Sequence, residues 1–268
     1  PINRLKFPDP KEVPYKDYNK LYNRRNISFI KLPGISGLRE LPIPVARGCP
    51  IGCNFCIIKK YQGKIERRRN VKAVLEYISQ CKSVYSFDYI SFIAPTFTLD
   101  RRWVMNLCKE IISKKINIKW KCCTVPQLID QKLIKLMANS GCFRISFGVE
   151  TLSPKLQKLL PEIKRINVSR LKKVFEWCKK SNIEINWLIM VGLPGEDWND
   201  FRFTVEKLKE IGGIIRPAFY VPYDRITPSF SEDKIFKFNR YLIISNKYEL
   251  STKKSYYNTV LKIVEEVK

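Results

Sequence analysis

The chain has 268 residues, 45% of them hydrophobic and 28% charged, the make-up of a soluble globular protein able to bury a full core in one domain or two. Lysine and arginine number 50 against 25 acidic residues, for a formal charge of +25, and histidine is absent. That absence excludes Ser-His-Asp triads, imidazole proton shuttles and His-ligated zinc, and leaves any acid–base step to Glu, Asp, Lys, Tyr or Cys.

No apolar run is long enough to span a bilayer and no signal peptide is visible, so a non-membrane, cytoplasmic protein is expected. Nine cysteines without regular spacing fit a reducing compartment. The chain opens Pro1-Ile2-Asn3-Arg4, without an initiator Met, which leaves upstream sequence an expectation. A field this positive attracts anions, yet most lysines fall on predicted helix faces without interleaved aromatics, which is a solvated surface.

Residues 1–40 are rich in Pro, Tyr, Lys and Asn, and Pro8, Pro10, Pro14 and Pro33 interrupt any period. They read as an irregular N-terminal arm or linker. From residue 41 strands and helices alternate. Strands are expected at 41–46, 89–93, 116–122, 143–147, 183–191 and 214–221. Helices are expected at 70–81, 99–113, 126–138, 153–160, 168–180 and 198–211, where apolar residues recur at helical spacing, as at Val71, Val74, Leu75 and Ile78. Such alternation builds parallel strands joined by crossover helices. Six units fall short of the eight of a closed barrel. The expected fold is α/β: a partial (β/α)6 TIM-type barrel over 41–225, with outer helices and a short C-terminal helical extension over 226–268.

The first strand runs into Cys49-Pro50-Ile51-Gly52-Cys53-Asn54-Phe55-Cys56. Thiolates are soft ligands that select iron–sulfur clusters, zinc or copper, and Gly52 permits a tight bend. Three ligands would leave one corner of a four-iron cluster open to a small molecule. A zinc knuckle or three unrelated buried thiols are the other readings. Further motifs follow the other strands: Ala94-Pro95-Thr96-Phe97-Thr98, Cys122-Cys123-Thr124, Ser146 to Thr151, Gly192-Leu193-Pro194-Gly195-Glu196 and Pro222-Tyr223-Asp224. Parallel architectures gather their ligands at these strand ends.

The Cys-x-x-x-Cys-x-Phe-Cys spacing resembles the signature of the radical S-adenosylmethionine enzymes, with wording nearest the cobalamin-linked and methylthiotransferase-like branch, over roughly residues 7–230. The resemblance implies a 4Fe-4S cluster on Cys49, Cys53 and Cys56. S-Adenosylmethionine would chelate the open iron, and its reductive cleavage would give a 5′-deoxyadenosyl radical that takes hydrogen from a substrate. It also implies cofactor-binding roles for Phe55, Thr96, Ser146, Glu150, Gly192, Leu193 and Pro194, with Glu150 reaching ribose hydroxyls or the amino group and the Gly192 turn approaching adenine. Methylation, cyclisation or another radical modification of an acidic peptide, RNA or small metabolite follows, with flavodoxin or ferredoxin as reductant and cobalamin left open. The catalytic residue facing the substrate is not identified.

The chain departs from that branch at Ala94-Pro95, where an acidic pair is usual, so contacts to the methionine amino group fall to Thr96 or backbone carbonyls. Of Cys122 and Cys123, one at most can face the interior, because strand neighbours point to opposite faces. Cys81, Cys108, Cys142 and Cys178 read as packing thiols, and Glu196 as a helix-start residue. Tyr61, Tyr220 and Tyr223 read as packing, with radical relay or substrate wall as the functional alternative. The basic run Lys64 to Arg69 is close enough to the cysteines to meet a substrate or a cofactor carboxylate. An iron–sulfur electron carrier and a zinc-binding nucleic-acid-binding protein are the rival functions.

Overall fold

The structure, a computed structural model, describes residues 6–15, 17, 39–220, 229, 231, 260 and 262–265. The first strand is β1 (Glu40–Pro44). A two-stranded antiparallel ribbon follows, β2 (Ala46–Arg47) with β3 (Arg67–Arg68), and the turn α1 (Ile58–Tyr61) lies between them. Then come α2 (Val71–Val84), β4 (Tyr89–Ile93), α3 (Arg101–Ser113), β5 (Trp120–Thr124), α4 (Gln131–Asn139), β6 (Cys142–Glu150), α5 (Pro154–Gln157), α6 (Val168–Lys180), β7 (Glu184–Val191), α7 (Trp198–Ile211) and β8 (Ile214–Phe219). The six long strands form one sheet in the order β1-β4-β5-β6-β7-β8, every neighbouring pair parallel. Spatial order thus follows chain order. Among the described residues β1 and β8 end the order without pairing, so the six-strand barrel is open, as expected.

Helix starts are set by short polar side chains. Asn70, Asp100, Asp130, Asn167 and Asp197 each accept a hydrogen bond from a backbone N–H in the first turn of the helix that follows. These caps explain where the expected boundaries move. The helix expected at 99–113 begins at Arg101 because Asp100 caps it. The stretch expected as one helix at 126–138 is a 3-10 turn, Pro126–Leu128, followed by α4 behind the Asp130 cap. The helix expected at 153–160 shortens to Pro154–Gln157, and Leu159 and Leu160 close i→i+3 bonds instead before Pro161.

Two strands also shift. The strand expected at 116–122 runs over 120–124, since the Ile116 N–H returns to Ile111 to finish α3. The strand expected at 41–46 divides at Val45, which donates to Ile93 and accepts from Arg69, and its last residues turn away into the ribbon with β3. Pro42 and Pro44 contribute no donors to this edge strand.

The core lies between sheet and helices, centred on Trp120, Trp187, Phe92, Phe97 and Phe147. The described part of the N-terminal arm packs on α2, with the Phe7 ring stacked 4.1 Å from that of Tyr77 and Tyr15 edge-on to Tyr85. Near the C-terminus the described residues 260 and 262–265 are helical, and Val260 and Ile263 are buried in the same core. The motif Pro222-Tyr223-Asp224, most of the segment 226–268 and most of residues 1–40 lie outside the described residues.

Candidate active site at the strand ends

The three signature cysteines occupy the excursion between β2 and β3, so the ribbon brackets the loop. Gly48 opens it with φ +82°; a Cβ here would stand 2.1 Å from the Ile65 carbonyl oxygen, so only glycine fits. The Gly48 N–H donates to Gln62 Oε1 at 3.2 Å, the Cys49 N–H to the Gly63 carbonyl at 3.2 Å, and the Cys56 N–H to the Cys53 carbonyl at 3.1 Å. All three thiols are free, Cys53 buried and Cys49 and Cys56 half-buried. Burial lifts the Cys53 thiol to about 11; Lys164 pulls against that, and Cys56, Glu150 and Cys49 push it further up. The three sulfurs therefore share one electrostatic neighbourhood, in which a metal would displace a firmly held proton. Among the described residues no three His, Cys, Asp or Glu side chains converge tightly enough to hold a single ion. A cube presents a separate iron to each thiolate and does not require that convergence.

Glu150 ends β6 beside this loop. A register shift between Gly148 and Glu150 and a φ of +65° at Glu150 break the strand's alternation and re-aim the carboxylate. Its Oε1 pairs with the Lys164 ammonium, and both side chains are about nine-tenths buried. Lys164 comes from a 3-10 turn, Glu162–Lys164, and its Nζ lies 5.4 Å from the centre of the Phe55 ring. Burial disfavours its charge, but Glu150, Cys53 and Cys123 more than offset that, and its pKa rises. Gly148 makes room for the pair: a Cβ there would stand 2.9 Å from Glu150 Oε1 and 3.2 Å from Lys164 Nζ.

Thr96 closes the opposite side. Its Oγ1 lies 3.7 Å from Cys49 Sγ, and its carbonyl accepts from Arg68 at 2.9 Å. The loop is anchored by Phe97, whose N–H donates to the Cys123 carbonyl, and by the Thr98–Thr124 hydroxyl pair at 2.5 Å. Within the basic run, Arg68 turns inward, held by Glu66 and lying over the Trp103 ring, and its Nη1 is buried without a partner. The end of β7 supplies Gly192 and Leu193, buried, and Pro194, exposed. Their turn is pinned by Glu196, which accepts from the N–H groups of Gly192 and of Leu193. Glu196 is thus a loop anchor one residue before the Asp197 cap, not a residue of the helix start. Burial raises its carboxyl to about 8, backbone donation opposing the rise.

Ser146 lies deeper, on the interior wall of the barrel, and accepts from Asn186 at 3.2 Å. Both Cys122 and Cys123 border that interior, and Cys122 also belongs to the hydrophobic core. Cys81, Cys108, Cys142 and Cys178 are buried core thiols, as expected. Tyr61 is 74% exposed beside the cysteine loop, away from the interior. Lys164 and Asn186 were not singled out by sequence, and Arg68 only as one member of the basic run Lys64 to Arg69; folding shows which one turns inward.

The geometry fits a thiolate-ligated cluster with an amino-acid nucleotide beside it. Three free thiols share one loop, and a buried guanidinium N–H without a partner adjoins the residue touching Cys49. A buried carboxylate–ammonium pair lies on the other side. Comparison with known proteins agrees. Residues 43–208, more than half of the chain, match the Radical SAM superfamily. An uncharacterized methyltransferase of Pyrococcus horikoshii is 25% identical over 218 residues, 74% of this chain and 46% of that one. The anaerobic magnesium-protoporphyrin IX monomethyl ester cyclase of Rubrivivax gelatinosus is 24% identical over 251 residues, 88% of this chain and 43% of that one. Among solved structures, the radical S-adenosylmethionine methyltransferase TsrM of Kitasatospora setae, with cobalamin and a 4Fe-4S cluster bound, superposes with a TM-score of 0.62 at 17% identity, over 68% of this chain and 37% of that one. The chain spans less than half the length of each of these relatives. By the match of its barrel and the cysteine loop it carries, the chain belongs to the radical SAM superfamily.

Proposed function

We propose that this barrel is the catalytic core of an enzyme that cleaves S-adenosylmethionine reductively and modifies a substrate by methylation or cyclisation. Cys49, Cys53 and Cys56 would hold a 4Fe-4S cluster, and Phe55, Thr96, Glu150, Gly192, Leu193 and Pro194 would wall the S-adenosylmethionine site, with Ser146 below them. When bound, the cluster and S-adenosylmethionine supply one-electron cleavage of a sulfonium and a 5′-deoxyadenosyl radical that removes hydrogen. The chain's own residues bind and shield. Glu150 offers a carboxylate to hydroxyl or ammonium donors, and Arg68 offers its unpartnered N–H to a carboxylate. The Glu196-pinned turn presents a backbone edge to a base.

The observation that carries this reading is the glycine-shaped loop of three free thiols beside the buried Glu150–Lys164 pair. Anaerobic reconstitution tests it. Brown protein with about four iron per chain, releasing 5′-deoxyadenosine under reduction, is expected. Colourless protein with one zinc overturns it in favour of the zinc-binding alternative. Iron without S-adenosylmethionine cleavage favours an electron carrier.

Cobalamin is a candidate third cofactor on the strength of the Kitasatospora neighbour, tested by dependence of methyl transfer on added cobalamin. Exposed Tyr61 and Ile65 stand among Lys59, Lys60, Lys64 and Arg67 next to the cysteine loop, a surface suited to an acidic donor such as flavodoxin or ferredoxin. No helix among the described residues is long and apolar enough to cross a membrane. The nine free cysteines support a cytoplasmic setting.

A further inference from the structure

Inside the barrel, below the strand ends, lies a cavity of about 280 Å³. Cys123 on β5 pairs in register with Ser146 on β6, and Ser146 with Asn186 on β7. The three therefore stand in one row across neighbouring strands, and all three line the cavity, with Ile93, Ala94 and Leu188 as apolar wall beside them. Cys123 is a free, half-buried thiol, and its charged neighbours are Lys164 and Glu150, the pair beside the cysteine loop. Cys122 also borders the cavity but belongs to the hydrophobic core with Cys108 and Cys142. Burial lifts the Cys123 thiol to about 11, with Lys164 opposing the rise and Glu150 adding to it. At neutral pH it keeps its hydrogen and is a poor nucleophile.

Asn186 is an independent sign that a molecule occupies this space. It is 2% exposed and its Oδ1 has no hydrogen-bond partner, although its Nδ2 donates to the Ser146 hydroxyl at 3.2 Å. A buried amide oxygen stranded in this way calls for an N–H or O–H group from outside the protein. Neighbouring strands lie about 4.8 Å apart, so Asn186 and Cys123, two strands apart, stand about 10 Å from each other and bracket whatever lies between them.

We propose that Cys123 gives the hydrogen atom of its S–H bond to a carbon radical formed at the mouth of this cavity. This rests on the radical activity proposed above. An S–H bond is weaker than the C–H bond made in its place, and weaker than the hydroxyl and amide bonds of Ser146 and Asn186, so in this row the thiol is the donor. Cys49, Cys53 and Cys56 have no hydrogen to give once they ligate iron as thiolates. In the step the S–H bond breaks and a C–H bond forms, which leaves a thiyl radical. One electron from the iron–sulfur or flavin donor that reduces the enzyme, with one proton from water, restores the thiol. Ring closure by addition of a carbon radical to a double bond ends on a new carbon radical that needs one hydrogen atom. Methyl transfer, which consumes the radical in forming the new bond, needs none. Cys123 therefore favours cyclisation, on a substrate that carries a carbon–carbon double bond and an N–H or O–H group for Asn186.

Turnover of S-adenosylmethionine without substrate tests the donor, because the radical carbon then belongs to the 5′-deoxyadenosyl group itself. The reconstituted protein is reduced with dithionite in heavy water, free of added thiol. Thiol hydrogens exchange with this solvent and carbon-bound ones do not, so deuterium in the released 5′-deoxyadenosine reports the donor. The expected result is deuterated 5′-deoxyadenosine from the wild type and from Cys122→Ala, and at least tenfold less deuterium per molecule from Cys123→Ala and Cys123→Ser. Unlabelled product from the wild type, or wild-type labelling in both folded, iron-loaded Cys123 variants, overturns the inference and leaves the radical activity standing. The cluster-free protein gives a reading that needs no turnover. Iodoacetamide in alkaline buffer, with the modified peptides identified by mass, should alkylate Cys123 at least tenfold faster than Cys108 and Cys178. Equal rates would show that no open thiol faces the cavity and would also overturn the inference. No 5′-deoxyadenosine from four-iron protein would refute the radical activity and the hydrogen donation with it, and rapid alkylation of Cys123 would then leave only the thiol-lined cavity.

Discussion

Replacing Lys164 with Met probes the buried pair at the mouth of the barrel. The substitution keeps an unbranched side chain of similar length and removes the ammonium, leaving Glu150 with its side chain 11% exposed and no counter-charge. Breaking a buried pair by removing one partner costs about 3–5 kcal/mol, a large share of the roughly 5–15 kcal/mol that holds a protein folded. Urea denaturation of the cluster-free protein should show the midpoint falling by that loss divided by the slope, with the slope itself unchanged. The double variant Lys164→Met/Glu150→Gln should recover most of the loss, because no stranded charge remains. The lysine's pKa is raised above its ordinary 10.5, so the stabilisation is full below that value and fades only as the pH climbs through the raised one. A loss under about 1 kcal/mol for Lys164→Met, or a double variant as unstable as the sum of the singles, would refute the buried pair.

Three other outcomes follow from the site. Cys49→Ala, Cys53→Ala and Cys56→Ala should each abolish iron retention while leaving the far-ultraviolet circular dichroism intact; a variant that holds about four iron would remove that cysteine from the ligand set. Gly48→Ala should cost about 1–2 kcal/mol from the left-handed backbone alone, more from displacing the Ile65 carbonyl, and should lower iron content in step. A melting temperature and iron content equal to wild type would show that the loop does not need its glycine. Glu196 has its carboxyl raised from 4.5 to about 8, so the folded state binds a proton the unfolded state releases. Stability should therefore fall between about pH 4.5 and 8, and Glu196→Gln should flatten that slope, whereas an unchanged slope would place the proton elsewhere.

Much of the fold was legible because it is local. Strand–helix alternation announced six parallel units, and the sheet order follows the chain without rearrangement. Errors fell where a cap or a proline overrides the apolar period, as at Asp130 and Pro161. The ribbon of Ala46–Arg47 with Arg67–Arg68 escaped notice since each strand has only two residues and its partner lies beyond the cysteine loop. Of the candidate site, Cys49, Cys53 and Cys56 stood out by spacing, and Thr96 and Glu150 by the family resemblance at strand ends. Lys164 did not, being one cation among 50, and Arg68 was marked only as part of the basic run Lys64 to Arg69.

By itself the sequence determined the order of the barrel's units, the spacing of the three candidate thiol ligands and the absence of imidazole chemistry, all of which depend on near neighbours in the chain and on composition. Tertiary structure alone decided which charges turn inward: Lys164 onto Glu150, Arg68 onto the Thr96 loop, and Arg144 and Arg216 into the cavity with Asn186. Burial of a charge is settled by partners far along the chain, as with Lys164 and Glu150 at a separation of 14 and Arg144 and Glu184 at 40, and no local pattern encodes such meetings.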